Sequence, residues 1–202
     1  MSKLAALILG IAGTAGTAGL GFLIAKNQKD ETKKIKNNYP HAILTFSNNE
    51  GWNSKFQLLN SKETTHPTLK KAKAQFSNTS QSQELYKKGC NEIYDSEGTQ
   101  YLDDFKTFCS KTNKDAITGS WISDAASVNT NWDKKLTSLK ERNSGLSSEF
   151  LEVQSSLGSG SFDETARGKI KKACDDSHSE IYLGPNDIKT QSIKDFCLSE
   201  QT

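Results

Sequence analysis

Arginine is almost missing from this chain: Arg142 and Arg167 are the only two among 26 basic residues. Proteins that read nucleic acid lean on arginine forks for phosphates and base edges. With 24 acidic residues holding the net charge at +2, there is no clustered basic footprint either, and nucleic-acid binding is not expected. Histidine is nearly as scarce. His41, His66 and His178 stand at no recognised metal or nucleophile spacing, and H-E-x-x-H, G-x-S-x-G and P-loop patterns are all missing. His178 sits among Asp175, Asp176 and Glu180; these could be a metal cluster, but a solvated acidic loop is the commoner arrangement. The adjacent carboxylates Asp103-Asp104 and Asp175-Asp176 point to different sides of a helix and do not make an acid/base pair. The glycine-rich stretch GSGSFDE at 158–164 lacks a preceding strand and a phosphate-binding lysine, and it reads as a linker. The expectation is a protein that is not an enzyme, with no catalytic residue, metal or cofactor. An anchored hydrolase with an unrecognised site stands last among the alternatives.

Long apolar runs are also missing, with one exception. Apolar residues make up 34% of the chain, and many of them fall in the first 25. Residues 4–25, LAALILGIAGTAGTAGLGFLIA, carry no charge and would span about 33 Å as a helix, close to the bilayer core. Ala12 with Gly16 and Ala15 with Gly19 are small-xxx-small pairs of the kind that let membrane helices approach, but Gly and Ala are common in membrane helices, and that plainer reading is preferred to dimerisation. A cleaved signal peptide is the alternative, with Gly13-Thr14-Ala15 or Gly16-Thr17-Ala18 as the cleavage site. The apolar run resumes at Leu20, Phe22, Leu23 and Ile24, so residues 1–26 are read as an uncleaved single anchor in the lipid bilayer. Residues 27–44 follow as a charged juxtamembrane linker. Lys26, Lys29, Lys33, Lys34 and Lys36 favour a cytoplasmic body by the positive-inside rule.

The remainder echoes itself. "LYKKGC" ends at Cys90 and "KIKKAC" at Cys174; "EIY" follows at 92–94 and at 180–182; "DDFKTFC" ends at Cys109 and "QSIKDFC" at Cys197. Upstream, WNSKFQLL at 52–59 resembles WDKKLTSL at 132–139. Trp52, Phe56 and Leu59 fall at i, i+4 and i+7, as do Trp132, Leu136 and Leu139, the spacing of one helix face. The pattern predicts two divergent helical repeat units after the anchor, at 45–114 and 125–202, joined by a connection at 115–124. Trp52, Phe56, Phe108, Trp132, Leu136 and Phe196 are the expected repeat core; tryptophan at helical spacing is more often core than a binding surface. Asn131 is the expected N-cap of the second tryptophan helix. Ser161 with Glu164 suggests a capping box ahead of the second cysteine helix, and AILTF at 42–46 is the best short strand. The fold class expected is mainly α, with small helical bundles.

Four cysteines allow three pairings. The repeat favours Cys90–Cys109 and Cys174–Cys197, which would give each unit the same staple. Four reduced core cysteines are the alternative, and a zinc site is disfavoured because no C-x-x-C clip exists. Bridges imply an oxidising exterior, against the orientation that the lysines favour; the cysteines are followed, and a single-pass membrane protein with its soluble region outside the cell is expected.

The opening MSKLAALILGIAGTAGTAGLGFL, the lysine-rich, arginine-poor body and the Trp and Cys landmarks resemble the uncharacterised paralogous families of haemotropic mycoplasmas. The resemblance covers the N-terminus well and the rest in general character. It implies a wall-less bacterium with a single membrane facing the host and a variable surface protein, in contact with host surface or antibody. It carries over no catalytic residue. A cytoplasm-facing membrane scaffold with reduced cysteines is the alternative function.

Overall fold

The structure is a computed structural model that describes residues 34–45 and 49–199. Backbone contacts divide the chain into residues 1–31 and 32–202, and every described residue belongs to the second part. The expected anchor at 1–26 lies outside the described residues. Among the described residues, no helix is long and apolar enough to cross a membrane.

The fold is mainly α. Short α1 (Ile35–Asn38) precedes α2 (Asn49–Ser61), α3 (Pro67–Ala74) and α4 (Thr79–Asp95). One turn of α5 (Leu102–Asp104) runs on as a π-helical turn, Phe105–Cys109. Then come α6 (Asn113–Ala116), α7 (Thr130–Glu141), α8 (Ser148–Ser155), α9 (Glu164–Ser177) and α10 (Ile188–Cys197). Of the strand expected at 42–46, the described residues 42–45 form an isolated antiparallel bridge, Ile43 to Ser110, and residue 46 lies outside the described residues.

Each half collects its own apolar core. Trp52, Phe56 and Leu59 on α2 meet Leu69 and Ala72 of α3, Tyr86, Cys90 and Ile93 of α4, and Phe105, Phe108 and Cys109 of the π-turn. Trp132, Leu136 and Leu139 on α7 meet Phe150 and Val153 of α8, Ile170 and Cys174 of α9, and Ile193, Phe196 and Cys197 of α10. The aromatic and aliphatic side chains among these each contribute about 1.5–3 kcal/mol by leaving water, so two small cores carry a polar chain. The boundaries of the cores differ from the expected units. Ile35, Ala42 and Leu44, read from the sequence as charged linker, are buried in the first core. Ile117 and Ile122, read as connection, are buried in the second.

Several contacts have counterparts in the two halves. The tryptophan indoles of α2 and α7 each donate to a carbonyl upstream: Trp52 Nε1 to Thr45 O at 2.8 Å, and Trp132 Nε1 to Asp124 O at 3.1 Å. The residue five before the second cysteine anchors the N-terminus of the short helix. Asp104 accepts from Thr65 N and His66 N ahead of α3, and Ser192 Oγ accepts from Ser147 N ahead of α8. The residue after that cysteine pairs with an extended segment, Ser110 with Ile43 and Leu198 with Trp121. Cys90 pairs with Cys109 and Cys174 with Cys197, with sulfurs 1.98 and 2.02 Å apart.

Two helix starts differ from expectation. The side-chain cap of α9 is Asp163, whose Oδ1 accepts from Ala166 N at 2.8 Å, in place of Ser161; a carboxylate one residue before the helix reaches the orphan N–H directly. Helix α7 begins at Thr130 after Asn129. Asn131 lies inside it and donates from Nδ2 to Asp124 Oδ2 at 2.7 Å, holding the incoming loop rather than capping the helix.

Candidate functional site: the seam between the cores and the charged groove

Three short extended segments lie side by side where the halves meet. Lys111 N donates to Ala42 O at 2.7 Å, Tyr182 N to Lys111 O at 3.0 Å, and Asn113 N to Glu180 O at 2.9 Å. Ile181, from the second half, packs against the first core. Asn113 closes the seam. It is 2% exposed, and its Nδ2 donates to Ser177 O at 3.1 Å. Beside it, Lys114 N donates to His178 O at 3.3 Å.

An ion pair crosses the same region. Lys55 on α2, 8% exposed, places Nζ 3.0 Å from Asp115 Oδ2. Asp115 forms a capping box with Thr112 at the start of α6. Burial pushes the Asp115 carboxyl up, but hydrogen bonds from Thr112 and Lys55 outweigh it, and the group is held below the ordinary carboxylate value. Gly184 permits a tight turn over the first half: its φ is +114°, and a Cβ there would overlap the His41 ring.

A second feature is a groove of about 290 Å³ between α8 and α9. Val153 and Ala173 form part of its wall, and Lys189 stands among its lining side chains. The Lys189 ammonium pairs with Glu149 and lies 2.6 Å from Glu180 Oε2. Burial alone would raise the Glu149 carboxyl; the Lys189 ammonium, the Glu149 backbone N–H and the Ser147 hydroxyl bring it down to about 2. Lys172 pairs with Asp176 at 2.5 Å. These charges are largely spent on one another, so the groove reads as an internal ion network that orients the start of α10.

The residues singled out from the sequence are all placed in the cores. Trp52, Phe56, Cys90, Phe108 and Cys109 come together in the first, and Trp132, Leu136, Cys174, Phe196 and Cys197 in the second; each is at most 3% exposed. The three histidines are dispersed. His66 is buried against Tyr101, ring centroids 4.6 Å apart, with Nδ1 unpartnered. Burial lowers its pKa against the opposing pull of Glu92 and Asp104. His41 faces Tyr182 edge-on, and His178 faces Trp121. Asp175 pairs with Lys171 and Asp176 with Lys172. Among the described residues, no group of three His, Cys, Asp or Glu side chains is placed to hold a metal. The buried phenols of Tyr86 and Tyr94 are pushed far up by burial, and they donate to the carbonyls of Phe108 and Cys109 at 2.5 and 2.7 Å.

The roles of Asn113, Lys55, Asp104 and Lys189 escaped the sequence reading, which weighed Asp104 only as half of an adjacent carboxylate pair. Each acts on a partner distant along the chain, so no local spacing announced it. No family model, curated protein or solved structure matches the chain.

Proposed function

We propose that this is a membrane-anchored protein whose folded body is displayed outside the cell, as a binding or antigenic surface toward a host rather than as a catalyst. Its two halves are, on this reading, diverged copies of one helical unit. The observation that carries the proposal is the pair of buried Cys–Cys contacts, one in each core. Two structural bridges in a small, polar protein belong to an oxidising compartment. The matching tryptophan, Asp104/Ser192 and Ser110/Leu198 contacts support common descent of the halves. The uncharged run at 4–25 supports the anchor.

A cytoplasm-facing scaffold is the second reading, favoured by the lysines that follow residue 25. Two of those lysines are already engaged: Lys34 and Lys36 lie 3.1 and 2.7 Å from Asp95 Oδ1. The four cysteines are at most 1% exposed, so sidedness is better read at lysines than at thiols. Intact cells treated with a membrane-impermeant amine reagent should carry label on the exposed Lys88, Lys134, Lys169 and Lys172. Label on these residues only after lysis would overturn the surface reading in favour of the scaffold.

A further inference from the structure

We infer that the seam is an acid-sensitive clasp, with the His178 imidazole as its trigger. His178 ends α9 and touches the first half through its backbone: its carbonyl receives Lys114 N–H, and the carbonyl before it receives the Asn113 side chain. Its ring stands edge-on to Trp121, centroids 4.4 Å apart and planes at 86°. Nε2 is buried there and meets no hydrogen-bond acceptor. The neutral ring tolerates that placement; the imidazolium would bring a second N–H and a positive charge to a ring whose buried Nε2 has no acceptor to receive it.

The charges around the ring decide the direction. Lys114 of α6 and Lys171 of α9 oppose protonation, Asp175 of α9 favours it, and the Trp121 face offers no charge. Burial and the two lysines outweigh Asp175 and lower the pKa from its ordinary 6.5. A depressed histidine stabilises the closed state fully above its ordinary value, and that stability is lost as pH falls from 6.5 toward the lowered pKa. Relief comes from turning the ring out to water. That movement draws Ser177–Glu180 away from Asn113 and Lys114, and the seam parts while both stapled cores stay folded.

Amide exchange on the full chain in detergent micelles, corrected for intrinsic rates, tests this at pH 7.5 and 5.0. Segments 111–116 and 177–183 should lose protection about tenfold or more on acidification, with the core segment 134–140 unchanged. His178→Gln and His178→Phe, which do not titrate, should each abolish that pH dependence; either variant that folds suffices. Protection unchanged in the natural chain would overturn the inference. So would an equal acid response in the variants, or loss spread evenly over the core segment.

Discussion

Asp104 and Ser192 hold the same post in the two halves with very different strength. Asp104, 4% exposed, accepts from Thr65 N, Thr65 Oγ1 and His66 N at 3.0, 2.6 and 2.8 Å. Ser192 accepts a single N–H, from Ser147 at 3.0 Å. Asp104→Ala should therefore cost about 3 kcal/mol, because it strands several donors, and Ser192→Ala about 1 kcal/mol. Urea unfolding of the two variants checks the order; equal losses would contradict the difference in strength that the contacts indicate. Glycine at 89 is a second residue-scale feature. A Cβ there would stand 2.7 Å from Leu69 Cδ2 and 3.3 Å from the Leu69 backbone, so Gly89 lets α3 lie close on α4, whereas the other half carries Ala173 at the matching place. Gly89→Ala should lose about 1–3 kcal/mol by overpacking, despite alanine's better helix propensity; a thermal melt at or above that of the natural chain would contradict this packing account. Buried apolar positions such as Trp52 and Leu136 were legible because helical spacing exposes them. Asp104 was not, since its partners lie nearly forty residues away.

At the scale of elements, each cysteine pair ties the long helix of its half to the closing one: α4 to the π-turn, and α9 to α10. Loops closed over 19 and 23 residues are worth roughly 3 kcal/mol each in the chain-entropy model. Replacing Cys174 and Cys197 together by Ala should lower unfolding stability by about that amount, and the Cys90/Cys109 double variant should do the same. A loss well under 1 kcal/mol for either would remove the staple from the account. The pairing was readable because the cysteines recur in one order with equivalent aromatic neighbours. Helix starts were read less well. Asp163 rather than Ser161 caps α9 and Asn131 turns to Asp124, because several residues near each start could supply an oxygen and the path of the incoming loop decides among them. The turn at Ile35 and the buried Ala42 and Leu44 were hidden under a lysine-rich stretch whose charges read as linker.

For the molecule as a whole, the seam makes one folded body of two cores. It was the least legible part of the sequence, because it is built largely from backbone pairing between 110–113 and 177–182, with side chains such as Asn113, Lys55 and Asp115 reaching distant partners. The Asp115 carboxyl is depressed, so its contribution is present above its ordinary pKa and is lost as pH falls through the lowered one. Lys55→Met should weaken the seam by about 1 kcal/mol or less, since Asp115 remains partly exposed and keeps its bonds to Thr112. Exchange at 111–116 should quicken while the core segments hold; quickening across both cores would show that Lys55 supports the first core instead.

The compartment is what the proposed function depends on most, and the redox state of the cysteines reads it directly. Cells are quenched in acid, unfolded in the presence of an alkylating reagent so that the buried sulfurs are reached, and the protein is digested without reductant. The account predicts two linked peptide pairs, Cys90 with Cys109 and Cys174 with Cys197, and no alkylated cysteine. Four alkylated cysteines would contradict it and leave a reduced, cytoplasm-facing body.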